Sequence, residues 1–255
     1  MLFPLSDDDS KLTGPAYFTW AILIINVLVY FYQVSDPQLT YQWAMTPKEI
    51  TTGVDIVSPV VMTAEGENIE VPHVPGPSLI YLTLLTSMFM HGSIGHLLSN
   101  MLYLWIFGDN VEHRFGHIPF LIFYLISGLF ASFAQILVSP GSVIPNLGAS
   151  GAIFGILGAY MVLFPRNKVN AIVLYFVVSI PAIYVIGLWT VMQVFSVFDS
   201  LLGPQQAGGV AYMAHVGGLI AGVVAGFAFR ASLKSEPDSV LYRQYQKDPN
   251  SRRYW

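Results

Sequence analysis

Six long apolar stretches, almost free of charge, leave few folds open to this sequence. They run near residues 16 to 33, 93 to 111, 118 to 138, 148 to 165, 169 to 198 and 210 to 230. A helix needs about 20 apolar residues to cross the hydrocarbon core of a bilayer. Backbone exposed to lipid must satisfy its own polar groups, which favours helices. The composition agrees, with 54% hydrophobic residues, 10% charged and a mean hydropathy of +0.59, against about 25% charged in a soluble domain. The expectation is an all-α membrane protein, a bundle of six transmembrane helices, with no sustained strand alternation inside the six runs. The run from Ser78 to Gly108 is too long for one span, so its first part reads as a loop or interfacial segment. The fifth run is also over-long, and Pro181 within it predicts a kink.

Charge sets the expected orientation. Lys11, Arg114, Arg166, Lys168, Arg230, Lys234, Arg243, Lys247, Arg252 and Arg253 share one side of a six-span arrangement, and only Lys48 falls on the other. The positive-inside rule then assigns both termini to the cytoplasm. The divisions expected are a cytoplasmic N-terminal segment (1–15), a six-span domain (16–230) and a polar cytoplasmic tail (231–255). Residues 34–77 form a long, acidic extracytoplasmic loop. The acidic N-terminus lacks a basic leader, so no cleaved signal peptide is expected. The chain has no cysteine, which excludes disulfides, thiol nucleophiles and cysteine-held metals.

In this topology helices two, four and six run in the same direction, and each carries polar residues near its outer end. These are His96 and Asn100 in "HGSIGHLLSN", Ser150 in "NLGASGAIFG" and His215 in "AYMAHVGGLIAG". At 3.6 residues per turn, His96 and Asn100 share a helix face, whereas His91 and His96 do not. Gly218, Gly222 and Gly226 recur every four residues on helix six, as do Gly151, Gly155 and Ala159 on helix four. Small residues at this spacing let membrane helices approach closely, so the packing itself predicts contact between Ser150 and His215.

Acyl transfer uses such groups. A serine hydroxyl becomes an effective nucleophile when a neutral imidazole takes its proton, and the resulting oxyanion needs fixed donors. His96, Asn100 and the Ser150 amide are candidates for that role, the amide because free N–H groups and the positive dipole end lie at a helix N-terminus. Gly148 and Gly151 permit a sharp turn and close backbone approach. Individually these features have simpler readings: small residues pack, a serine caps a helix, and a single intramembrane histidine forms a structural hydrogen bond. Those readings do not account for four polar groups at one depth. His73, His91, His113 and His117 are assigned to loops or helix ends.

The segments "HGSIGHLLSNMLYLWIFGDNVEHRFG", "GASGAIFGILGAY" and "AHVGGLIAG", in this order, resemble the rhomboid intramembrane serine proteases from about Ser87 to Gly226. The resemblance implies a rhomboid-like six-helix fold and a Ser-His dyad on Ser150 and His215 without an acidic third member. It implies an oxyanion site at His96, Asn100 and the Ser150 amide, an aromatic ring at Phe154 packed on the catalytic histidine, and Gly148 in the nucleophile turn. It also implies membrane-protein substrates cut in or near the bilayer, with no cofactor, no metal and no nucleic-acid partner. One departure stands out: "YQWAMTP" has Ala44 after Trp43, where many members carry a Trp-Arg pair. Two other readings remain open here: a catalytically inactive relative that binds membrane clients, and a metal-dependent enzyme or transporter using His91, His96 and His215. An aspartate-based protease is disfavoured because Asp109 and Asp199 lie at helix ends. Size and topology suggest the plasma membrane of a bacterium, with the site near the outer face.

Overall fold

The computed structural model describes residues 2–8, 14–64, 67–202 and 211–232. The tail beyond Ser232 and the basic residues Lys11, Lys234, Arg243, Lys247, Arg252 and Arg253 lie outside the described residues. The fold is mostly helical. Its long helices are α1 (Tyr17–Ser35), α5 (Ile94–Phe115), α6 (His117–Val138), α7 (Ser150–Leu163), α8 (Ala182–Leu202) and α9 (Tyr212–Ser232). The long first loop folds into short helices α2 (Gln38–Trp43) and α3 (Pro47–Thr52), followed by a hairpin of β2 (Val60–Ala64) and β3 (Glu67–Val71). Short helical turns, including α4 (Thr83–Thr86), then lead into α5, so the first part of the run from Ser78 is separate from the long helix.

Among the described residues, α1, α6 and α9 are long and apolar enough to cross a membrane. Helix α5 has the length, but His96, Asn100, Asp109, Asn110, Glu112 and Arg114 make it more polar. Helix α7 has 14 residues, so it rises only about 21 Å against a hydrocarbon core of about 30 Å. Every residue of α7 from Gly151 to Tyr160 is buried. A helix that is apolar all round belongs inside a bundle, and α5, α6 and α9 all pack against this one.

The α7–α9 contact is backbone on backbone. A Cβ on Gly218 would collide with the Gly151 carbonyl, and one on Gly222 with the Gly155 carbonyl; Gly226 faces Ala159. The four-residue stripes therefore meet in register, with both helices pointing the same way. A second fixed point lies at the opposite end from Ser150. The Glu112 carboxylate is fully buried and accepts hydrogen bonds from the Phe18 amide (3.0 Å), the Thr19 amide (2.7 Å), the Thr19 hydroxyl (2.7 Å) and His117 Nδ1 (2.6 Å). Helix α1 has no side-chain cap of its own, so α5 supplies the acceptors for its free N-terminal donors.

Two expectations need correction. The class is not all-α, because five strands are present among the described residues. The fifth apolar run is not one kinked span: residues 168–181 form a hairpin of β4 (Lys168–Val173) and β5 (Phe176–Pro181), and α8 begins only at Ala182. Pro181 ends a strand instead of kinking a helix. The segment is rich in Val and Ile, which favour pleated structure, and length and hydropathy alone do not separate such a hairpin from a span. A third strand, β1 (Leu2–Ser6), pairs antiparallel with β4 to give the order β1-β4-β5. Asp7 then accepts from the Tyr160 hydroxyl at 2.5 Å and from Asn110 Nδ2 at 2.9 Å. Residues 2–7 are thus part of the fold.

Gly222→Ala should lower the thermal midpoint in detergent, because overpacking a close contact costs about 1 to 3 kcal/mol. Gly187→Ala, on α8 with nothing within 4 Å of the added Cβ, should leave it unchanged or raise it through helix propensity. Equal effects from the two would refute the packing assignment.

Candidate functional site

Ser150 is the first residue of α7, and the chain reaches it through a turn at Gly148. Gly148 has φ +132°, and a Cβ there would lie 2.8 Å from His96 Cε1. Only glycine combines that backbone with so close an approach. The turn is held from behind by a hydrogen bond from the Gly148 amide to the Ser87 carbonyl (2.8 Å).

Ser150 Oγ lies 2.8 Å from His215 Nε2 on α9. The register of glycines described above brings the two helix ends level. The His215 ring stacks on Phe154, one turn along α7 from Ser150, with centroids 4.4 Å apart and planes 12° from parallel. That contact fixes the ring's plane through its face, without using its nitrogens.

His96 and Asn100 project from α5 into the same cavity, of about 560 Å³, which Ser150, Phe154 and His215 also line. Asn100 Nδ2 is buried and donates to no protein acceptor. A buried, unpaired donor is costly, so where one persists it calls for an explanation. His91 lies just before α5, its ring packed edge-on to His96 at 5.1 Å. The remaining histidines are held elsewhere: His113 by the Asp109 and Gly14 carbonyls, His117 by Glu112, and His73 by the Val143 carbonyl. Among the described residues no group of three or more His, Cys, Asp or Glu side chains converges to hold a metal ion.

Among the lining residues that the sequence reading missed are two aromatic ones, Tyr103 and Trp189. Trp189 on α8 stacks on Phe154 at 4.6 Å and on Tyr103 at 4.4 Å, so one row of rings joins α9, α7, α8 and α5. Tyr103 carried a signal: His96, Asn100 and Tyr103 stand at i, i+4 and i+7, one face of a helix. Trp189 carried none, because the fifth run gave no helix register once its first half became a hairpin.

A family model described as the Rhomboid domain matches residues 80–232, more than half of the chain. The chain belongs to the rhomboid family. It is 31% identical over 159 residues to rhomboid protein 1, mitochondrial, of Saccharomyces cerevisiae, covering 61% of this chain and 44% of that protein. It is 44% identical over 85 residues to the rhomboid protease GluP of Bacillus subtilis, covering 33% of this chain and 16% of that one. A third relative is the human presenilin-associated rhomboid-like protein, mitochondrial, at 32% over 102 residues, or 39% of this chain and 27% of the other. The matches thus span less than half the length of each of these relatives. The mitochondrial names overturn the expectation of a bacterial plasma membrane. Apolar spans of this kind suit more than one cellular bilayer, so size and topology carried no address.

The rhomboid's first loop supports the site through the connection between α6 and α7. Met45 and Asn146 exchange backbone hydrogen bonds, Lys48 N donates to the Ser142 carbonyl, and His73 Nε2 donates to the Val143 carbonyl at 2.8 Å. His73 and Glu49 are both buried, 3.9 Å apart. Burial pushes His73 below its ordinary 6.5 and pushes Glu49 above its ordinary 4.5. A histidine depressed in the folded state contributes stability above 6.5 that is lost as the pH falls through the folded value. A carboxyl raised in the folded state acts in the opposite sense, favouring the docked loop on acidification through its own range. Loop docking should therefore weaken first as the pH falls below 6.5. Hydrogen exchange of residues 45–77 at about pH 7.5 and 5.5 checks this, and His73→Gln, which keeps a donor without the titration, should remove the loss.

Proposed function

We propose that this rhomboid is an intramembrane serine endopeptidase with six membrane spans, α1, α5, α6, α7, α8 and α9. Ser150 is the nucleophile and His215 the general base and later acid. The observation that carries the reading is the 2.8 Å approach of Ser150 Oγ to His215 Nε2. Burial of α7 within the bundle supports its role as a span too short to face lipid alone. The name of one relative, a rhomboid protease, supports hydrolysis as the activity.

The reaction follows from the geometry. Ser150 Oγ attacks the scissile carbonyl carbon while its proton passes to His215 Nε2. The electron pair of the carbonyl moves to oxygen, where the Ser150 amide, Asn100 Nδ2 and His96 donate to the anion. Asn100 Nδ2 has no protein acceptor of its own, so this donor is available without breaking a bond. His215 returns its proton to the leaving amine, and the acyl-enzyme forms. Water, deprotonated by the same imidazole, then releases the acid and restores the serine. Phe154 holds the imidazole plane, while Gly148 and Gly151 shape the turn and the close helix approach. The substrates are transmembrane proteins of the surrounding bilayer, whose scissile segment must be extended before attack, since a helical peptide bond is shielded by its own hydrogen bonds. The chemistry requires no cofactor.

A fluorophosphonate probe on purified protein should label Ser150, and the label should disappear in His215→Ala and after heat denaturation. Cleavage of a single-span reporter retained in folded His215→Ala would overturn the assignment. Asn100→Ala should lower turnover by roughly 10 to 1,000-fold, against about 100 to 1,000-fold for one oxyanion donor in a soluble hydrolase. An unchanged rate would remove it from the oxyanion site.

A further inference from the structure

The β4–β5 hairpin ends in four consecutive apolar side chains that no other part of the described protein covers. Leu174, Tyr175, Phe176 and Val177 are 71%, 95%, 72% and 65% exposed. Exposed apolar residues on α1, α6 and α9 face lipid along their spans, but here Leu174 and Tyr175 form the turn between two six-residue strands and Phe176 and Val177 open the second strand.

Connectivity fixes the hairpin's place. The Ala182 amide donates to the Asn167 carbonyl and the Ile183 amide to the Pro165 carbonyl, so its base closes where α7 ends and α8 begins. That end is opposite Ser150. Val169 and Ala171 are fully buried, and Val169 belongs to the same apolar cluster as Val185 and Ile186. The base of the sheet is therefore seated on the helices, while the tip lies about 20 Å further along the strands.

The turn has the wrong chemistry for water. Two-residue hairpin turns in solvent favour Asn-Gly or Asp-Gly, which accept positive φ. Here the pair is Leu174 and Tyr175, with Leu174 at φ 57°, the only non-glycine positive φ among the described residues. An apolar residue in a conformation that a polar one or glycine adopts more easily needs a gain from its surroundings. Two exposed cations, Arg166 and Lys168, stand at the base, and Arg114 and Arg230 mark the same end of the bundle. Apolar and aromatic side chains at the tip with cations at the root match the layering of acyl chain, interface and anionic headgroup.

We propose that the β4–β5 tip inserts into the bilayer interface on the face opposite Ser150, as a lipid anchor for the hairpin that leads into α8. Its ligand is the lipid surface, with Arg166 and Lys168 set for anionic headgroups. The anchor does not depend on the hydrolytic reading. Its reach toward the site is through α8, whose Trp189 stacks on Phe154.

The chain has no cysteine, so single labels are straightforward. Tyr175→Cys and, separately, Phe176→Cys would carry an environment-sensitive fluorophore, with Glu67→Cys on the opposite hairpin as an aqueous reference. The full chain is reconstituted in phosphatidylcholine vesicles with and without phosphatidylglycerol. The expected result is blue-shifted emission at 175 and 176, quenched by nitroxide-bearing lipid and protected from iodide, with the reverse at 67. Arg166→Gln with Lys168→Gln should reduce the additional shift produced by phosphatidylglycerol. Iodide quenching at 175 and 176 equal to that at 67 would overturn the anchor. Protection from both quenchers that is lost on dilution of protein in the membrane would assign the tip to a second copy of the chain, and equally overturn it.

Discussion

The bare approach of α7 to α9 is the constraint on which the rest depends. Lipid offers little hydrophobic gain for bringing two apolar helices together, so association rests on packing and on close backbone contact. Gly218 against the Gly151 carbonyl and Gly222 against the Gly155 carbonyl allow no side chain between them. With the axial register set by these contacts, Ser150 and His215 become neighbours although 65 residues separate them. A shift of one residue, about 1.5 Å of rise and 100° of rotation, would part them.

The other helices supply what the α7–α9 pair cannot. Helix α5 presents His96 and Asn100 on one face and, at its far end, holds α1 through Glu112. The aromatic row through Tyr103, Trp189 and Phe154 ties the imidazole to α8 by stacking alone. The contact between Ser150 and His215 is thus framed on one side by packed aromatic rings.

Much of this was legible in the sequence. Five of the six helices fall where the apolar runs lie, since periodicity over a long segment is a strong signal. The stripes at Gly151 and Gly218 announced their own partnership, and His96 and Asn100 declared a face by their spacing. The hairpin β4–β5 was not legible, because Val169, Ile172, Val177 and Ile180 are as apolar as any span. Strand β1 was hidden for a different reason: five residues have too little pattern to reveal a partner beyond residue 165. The cell address was absent altogether, as the mitochondrial relatives made plain.

Strand β1 has a further consequence, in the order of assembly. Ser6 reaches the Asn170 side chain across 164 positions of sequence, so the sheet cannot close until most of the bundle has been synthesised. Contacts between such distant segments form late, because the loop entropy must be met before the contact gives any return. Residues 2–8 leave the ribosome before any of the long helices and reach their native partners only after β4 has emerged. Residues 2–8 thereby report on what has been assembled after them: a protein whose Asp7 has found Asn110 and Tyr160 already has α5 and α7 in place.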